Sequence, residues 1–322
     1  MKNATPPLIT VLSCSFALAA YFIADSAMAN ETAAAVVQNK ATTNEQLAGV
    51  EQVLKQVHHC NKSITLRSQA LSRDKVIKAC NELIAQEDKF HQTFNTRNKP
   101  VRDDHNISLR ANFYSSNAEY VKYATEHFTM PTNNGGMYLE GYPERPGNHA
   151  EFVAYERNGG LWNLSHEYIH YLDGRFNRYG DYCNGLHDDH AGPEFCPTPN
   201  SSYPHGVWWS EGVAEYIAWG KNNPKAIIVA SSKTYPLSEL FNTSYNQNNG
   251  SDRVYRWGYL AVRFMMENHR DKVEESLALS RQGDWAGYQA LMRSWSTSMD
   301  QQWFTWLDSL VEEKNNAGKA TP

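Results

Sequence analysis

The chain has 322 residues, of which 41% are hydrophobic, 12% aromatic and 20% charged, with a formal net charge of -5. Such a composition builds a substantial apolar core and excludes an intrinsically disordered chain. The mild negative charge also lacks the basic footprint of a nucleic-acid-binding protein.

Residues 1–29 read as a secretory signal peptide. Lys2 starts it, Leu8 to Ile23 is largely apolar, and Ala27-Met28-Ala29 offers small residues for cleavage. The competing reading is a membrane anchor. Against it, Ser13, Cys14 and Ser15 interrupt the apolar run, which is short for a ~20-residue span. No other segment is apolar enough to cross a bilayer, so export to the extracellular space or a periplasm is expected, with no membrane contact after cleavage. Cleavage removes Cys14 and leaves Cys60, Cys80, Cys183 and Cys196. An even count in an exported chain predicts disulfides. The local pairs Cys60–Cys80 and Cys183–Cys196 are favoured over free buried thiols.

Residues 30–44 are rich in Ala, Thr and Asn and read as a flexible segment. Leu47, Val50, Val53, Leu54 and Val57 then recur at helical spacing. A second helix is expected from Asp74 to about Phe94, with Val76, Ile77, Leu83 and Ile84 inward, stapled to the first by Cys60–Cys80. Alternation predicts a half-buried strand over 107–113. Ser116-Asn117-Ala118-Glu119 has the form of a capping box for a helix through about Glu126. Asn133-Asn134-Gly135-Gly136 leads into strands over 137–141 and 151–156. A helix follows from about Leu161 to Asp173, with Gly174 as its expected C-cap. Residues 175–205 read as a long stapled loop. Helices are expected over Trp208 to Trp219, 254–268, 270–281, 284–294 and 299–314. With no repeat and no linker, the body reads as one α+β domain over 45–315, followed by a tail over 316–322.

The chemistry concentrates in His166-Glu167-Tyr168-Ile169-His170. Two histidines four apart share a helix face and can reach one metal ion. Glu167, one residue on, is placed to move a proton to and from water beside the metal. A catalytic zinc needs a third protein ligand and an open position. The candidates are Glu211 and Glu215, four apart on a helix that starts at Trp208. Spacing does not choose between them. The other could support a histidine. Inside the stapled loop, His187, Asp188, Asp189 and His190 form either an extra metal site or, more simply, a solvated tip.

Four segments resemble the peptidase domain of bacterial collagenases, a gluzincin family of Vibrio- and Clostridium-type secreted enzymes. They are 133–140 (NNGGMYLE), 166–176 (HEYIHYLDGRF), 208–216 (WWSEGVAEY) and 255–260 (YRWGYL). The resemblance covers about residues 45–315. It implies a thermolysin-like domain with a small mixed-sheet upper half and a mainly helical lower half. It implies zinc on His166, His170 and Glu211, with Glu167 as general acid and base and Glu215 behind the ligands. Gly135 and Gly136 match the family's double glycine along the substrate strand. Glu140 matches a structural calcium position, completed by carbonyls near Asp173 and Gly174. A tyrosine, Tyr255 or Tyr259, would hydrogen-bond the oxyanion. The activator and collagen-binding modules of full-length members have no counterpart in this chain. Gelatin and single collagen-like chains are therefore the expected polypeptide substrates, acted on by a monomer. The alternatives are a broad metallopeptidase without collagen preference, or a non-catalytic collagen- or peptide-binding protein.

Overall fold

A computed structural model describes residues 44–186 and 203–319. Helix α1 (Asn44–Val53) leads to strands β1 (Gln56–His59) and β2 (Ile64–Ser68), and to the long helix α2 (Arg73–Phe94). Ser72 caps α2 by accepting the Lys75 N–H. Strand β3 (Leu109–Tyr114) is followed by α3 (Asn117–Phe128), where Ser116 accepts from the Glu119 N–H. That cap is the one its sequence predicts. Strands β4 (Gly136–Leu139), β5 (Ala150–Arg157) and the short β6 (Gly160–Leu161) complete the sheet.

The five main strands lie in the order β1-β2-β3-β5-β4. The two central pairings, β2 with β3 and β3 with β5, are parallel, while both edges pair antiparallel. Side chains alternate across β5: Phe152 and Ala154 enter the main core, and Val153 and Tyr155 pack on the opposite face with Tyr114 and Tyr120. Both faces are covered, so β3 and β5 are buried almost throughout.

Two departures from the sequence reading concern the first hundred residues. Val57, expected on a helix, is 51% exposed on β1, and β1 and β2 together are a strand pair the helical spacing concealed. The Cys60–Cys80 disulfide therefore staples the end of a strand to α2, instead of two helices. Along α2, Val76 and Leu83 face inward as expected, whereas Ile77 and Ile84 are exposed. One apolar stripe on an amphipathic helix leaves its flanks to solvent, and single exposed isoleucines are ordinary.

From α4 (Leu164–Phe176) onward the structure is helical: α5 (Val207–Trp219), α6 (Pro224–Ala230), α7 (Leu237–Leu240), a π-helical turn (Asp252–Trp257), α8 (Gly258–Asn268), α9 (Arg270–Gln282), α10 (Trp285–Trp295) and α11 (Asp300–Lys319). Helix α4 runs through Gly174, so this glycine is buried inside the helix and does not cap it. The two short helices α6 and α7 carry too few turns to show a period. Cys183 is disulfide-bonded; Cys196, its expected partner, and the 187–190 cluster lie outside the described residues. No described helix is long and apolar enough to cross a membrane.

Candidate active site

Helices α4 and α5 pack side by side, and each turns a polar face to a cleft of about 1210 Å³. Asp173, near the end of α4, accepts from Asn177 (2.9 Å) and from the Trp209 indole N–H of α5 (3.1 Å). The Trp209 bond ties the two helices together, and the Asn177 bond closes the end of α4. Gly212 of α5 sits against Gly258 of α8; a Cβ on it would lie 2.4 Å from the Gly258 carbonyl oxygen. Only glycine permits that approach, and it presses α5 into its position beside the site.

His166, His170 and Glu211 converge, each buried. The two histidine Nε2 atoms are 3.1 Å apart, and Glu211 Oε2 lies 3.2 Å from His166 Nε2 and 3.6 Å from His170 Nε2. Three ligand atoms around a tetrahedral ion with bonds of about 2.0–2.1 Å would stand about 3.3 Å apart. Moreover, the buried Oε2 accepts no hydrogen bond from the protein. Buried acceptors are normally satisfied, so the set fits a cation at its centre. The three side chains can hold a metal ion.

Charge explains the grouping. Burial opposes ionisation of Glu211, yet the adjacent histidines hold its carboxyl well below the usual range. Burial likewise disfavours the His166 imidazolium, but Glu211 and Glu215 hold it well above the ordinary value. Glu215 Oε1 lies 3.0 Å from His166 Nδ1, and Asn223 donates to Glu215 Oε2 at 2.8 Å. The two carboxylates that sequence spacing left equivalent thus take opposite sides of one imidazole. Glu211 meets the nitrogen facing His170, and Glu215 meets the other.

Glu167 lines the cleft, and Asn163 donates to its Oε1 at 3.0 Å. The pair stands at i, i+4, a spacing legible in the sequence but not used there. Of the two tyrosine candidates, Tyr255 lies in the cleft with its ring 5.9 Å from that of His166. The charge of nearby Glu211 raises its phenol above the usual value, so it remains a proton donor. Tyr259 is fully buried; its hydroxyl donates to the Gly220 carbonyl at 2.8 Å. It belongs to the core, one helical turn beyond the residue that reaches the cleft.

Gly136 opens β4, the edge strand, Gly135 immediately precedes it, and both line the cleft. A Cβ on Gly135 would fall 2.0 Å from the Trp162 indole nitrogen. Gly136 has φ +154°, and its Cβ would meet Ala154 Cβ at 2.9 Å and the Val153 carbonyl at 3.0 Å. The double glycine therefore lets Trp162 and β5 close in on the strand. Trp162, held beneath Arg157 at 4.2 Å, is a cleft residue that the sequence reading missed.

Glu140, the expected calcium ligand, is paired with Arg178 through one of its two oxygens. Arg178 donates to Glu140 Oε1 at 3.0 Å, both side chains being almost inaccessible. A Cβ on Gly174 would come within 2.5 Å of that oxygen and 3.1 Å of Arg178 Nη2. The positive group at this turn is already the guanidinium, stacked on Tyr182 at 4.2 Å.

A paired-histidine helix, a carboxylate from a neighbouring helix and a glutamate between the histidines define the His-Glu-x-x-His class of metal site. The collagenase family profile (Peptidase M9) matches residues 13–306. The chain belongs to the collagenase family. It is 42% identical over 265 residues to the microbial collagenase of Vibrio alginolyticus, covering 80% of this chain and 30% of that protein. The microbial collagenase of Vibrio vulnificus is 40% identical over 268 residues, covering 82% and 31%. Collagenase ColA of Clostridium perfringens is 27% identical over 207 residues, covering 58% and 16%. The chain thus spans under a third of the length of these relatives.

Proposed function

We propose that the chain is an exported, zinc-dependent endopeptidase of the gluzincin type, acting on gelatin or other unwound collagen-like chains. The observation that carries the metal chemistry is the convergence of His166, His170 and Glu211 around an unsatisfied carboxylate oxygen. Two nitrogens and one carboxylate oxygen at these separations suit zinc, and three protein ligands leave a position open. Export is supported by the Cys60–Cys80 disulfide, since such bonds persist in oxidising compartments.

Zinc would supply Lewis-acid polarisation of the scissile carbonyl and would acidify water beside it. The chain's own residues do the rest. Glu167, oriented by Asn163, takes the proton of the attacking water and delivers it to the departing nitrogen. Tyr255 donates its phenolic proton to the developing oxyanion. Glu215 Oε1, 3.0 Å from His166 Nδ1, would take the proton on that nitrogen and keep Nε2 directed at the metal. The extended substrate pairs with the exposed edge of β4, where glycine admits a second backbone. The relatives' collagenase names support the substrate class.

Digestion of gelatin, native collagen and casein, with and without chelator and followed by fragment sequencing, tests this reading. Chelator-sensitive cleavage concentrated in gelatin is expected. Gelatin bound by the zinc-loaded protein but never cut would favour a binding protein instead.

A further inference from the structure

The two oxygens of Glu211 have different surroundings. Oε2 faces the two histidines and accepts no hydrogen bond, whereas Oε1 accepts one from the hydroxyl of Tyr245. Tyr245 lies 34 residues downstream of Glu211, in the segment between α7 and the π-helical turn, where no helical or strand period marks it.

We infer that Tyr245 is a positioning residue: by holding Oε1, it makes Glu211 a one-oxygen metal ligand and keeps the remaining coordination position for the substrate. The inference rests on the zinc reading above. Its logic is steric and electronic. A carboxylate free to rotate can present both oxygens to one cation. The second oxygen would then occupy the place a scissile carbonyl or water needs. A phenol bound to Oε1 removes that option and fixes the plane of the carboxylate.

The hydroxyl is suited to the task. A phenol, with an ordinary pKa of about 10, is a hydrogen-bond donor at neutral pH. The backbone that carries it is braced. Asn249 Nδ2 donates to the Tyr245 carbonyl at 2.7 Å, and the Gln247 N–H donates to Ser244 Oγ at 2.7 Å. The buried Arg253 binds Thr243 Oγ1 at 3.2 Å and Glu239 Oε1 at 2.8 Å. Tyr255 offers a contrast. It lines the cleft, and its hydroxyl makes no hydrogen bond among the described residues and is available to a substrate. The two phenols divide the work, Tyr245 on the ligand and Tyr255 on the reacting group.

Tyr245→Phe removes the hydroxyl and leaves the ring. Zinc affinity is measured by competition with a chromogenic chelator, and the Co2+-loaded protein is examined by visible absorption. The expected result is a zinc Kd raised about 10–100-fold. Weaker Co2+ bands, the sign of a higher coordination number, should accompany it, while the apo melting temperature stays near that of the wild type. Wild-type affinity with an unchanged Co2+ spectrum would overturn the proposal. So would an apo melting temperature lowered as much as that of the zinc-loaded form, since Tyr245 would then serve folding alone. Failure of the wild-type chain itself to bind zinc would bring down the metal reading, a result distinct from either.

Discussion

Glu215 Oε1 lies 3.0 Å from His166 Nδ1, on the far side of the ring from the nitrogen that faces Glu211. This places one carboxylate on the metal side and one behind it. Glu211→Ala should therefore abolish stoichiometric zinc binding, whereas Glu215→Ala should weaken it by about 10–100-fold. Metal content after dialysis at fixed free zinc separates the two, and the reverse order would exchange their roles.

Glu167 makes its contact with Asn163 Nδ2 rather than with the three ligand side chains. Glu167→Gln should keep the metal and lose about 10²–10⁴-fold in kcat on a gelatin-derived peptide. Asn163→Ala should lose less, because the carboxylate stays but is no longer oriented. Normal turnover by Glu167→Gln would end the proposed proton transfer.

Gly135→Ala tests the strand edge. The added methyl overlaps Trp162 and costs about 1–3 kcal/mol as overpacking. Because Trp162 lines the cleft, KM for peptides should rise more than kcat falls, while zinc content stays at the wild-type level. Unaltered KM would detach this glycine from substrate binding.

Arg178 and Glu140 form a buried pair beside Gly174. Thermal unfolding of zinc-loaded protein should be indifferent to calcium or to a calcium-selective chelator. Arg178→Gln leaves a buried carboxylate without its cation and should cost about 3–5 kcal/mol. Added calcium should then recover part of that loss. Calcium stabilising the wild type would show that the guanidinium does not fill the site.

His91 and His127 are buried, their Nδ1 atoms 3.0 Å from Thr96 Oγ1 and 2.8 Å from the Tyr114 hydroxyl. Burial lowers both from the ordinary value of 6.5, with the Arg97 charge adding to the effect at His91. Below that pH the unfolded chain binds more protons than the folded one. Their contribution is thus complete above about 6.5 and is lost as pH falls toward their folded values. Urea midpoints should drop between pH 7.5 and 5.5, and the drop should be smaller in His127→Gln. Equal slopes in the two proteins would remove His127 from the account.

What could be read in the chain is what local spacing governs. Two histidines four apart must share a helix face, Ser116 and Glu119 carry their own cap, and the alternation near Leu109 marks β3. These signals need no neighbour. The apolar spacing that suits a helix through Val57 also suits a short exposed strand, and only pairing with β2 decides between them.

The site divides along the same line. Spacing put Glu211 and Glu215 on one face and Tyr255 and Tyr259 four apart, but left each pair unresolved. The rotation of one helix against another, set by contacts such as Gly212 on Gly258, decided which carboxylate meets His166 Nε2 and which phenol reaches the cleft. Arg178 over Glu140 and Tyr245 on Glu211 were beyond any local pattern. Each joins residues more than thirty positions apart, and such encounters depend on how the whole core packs.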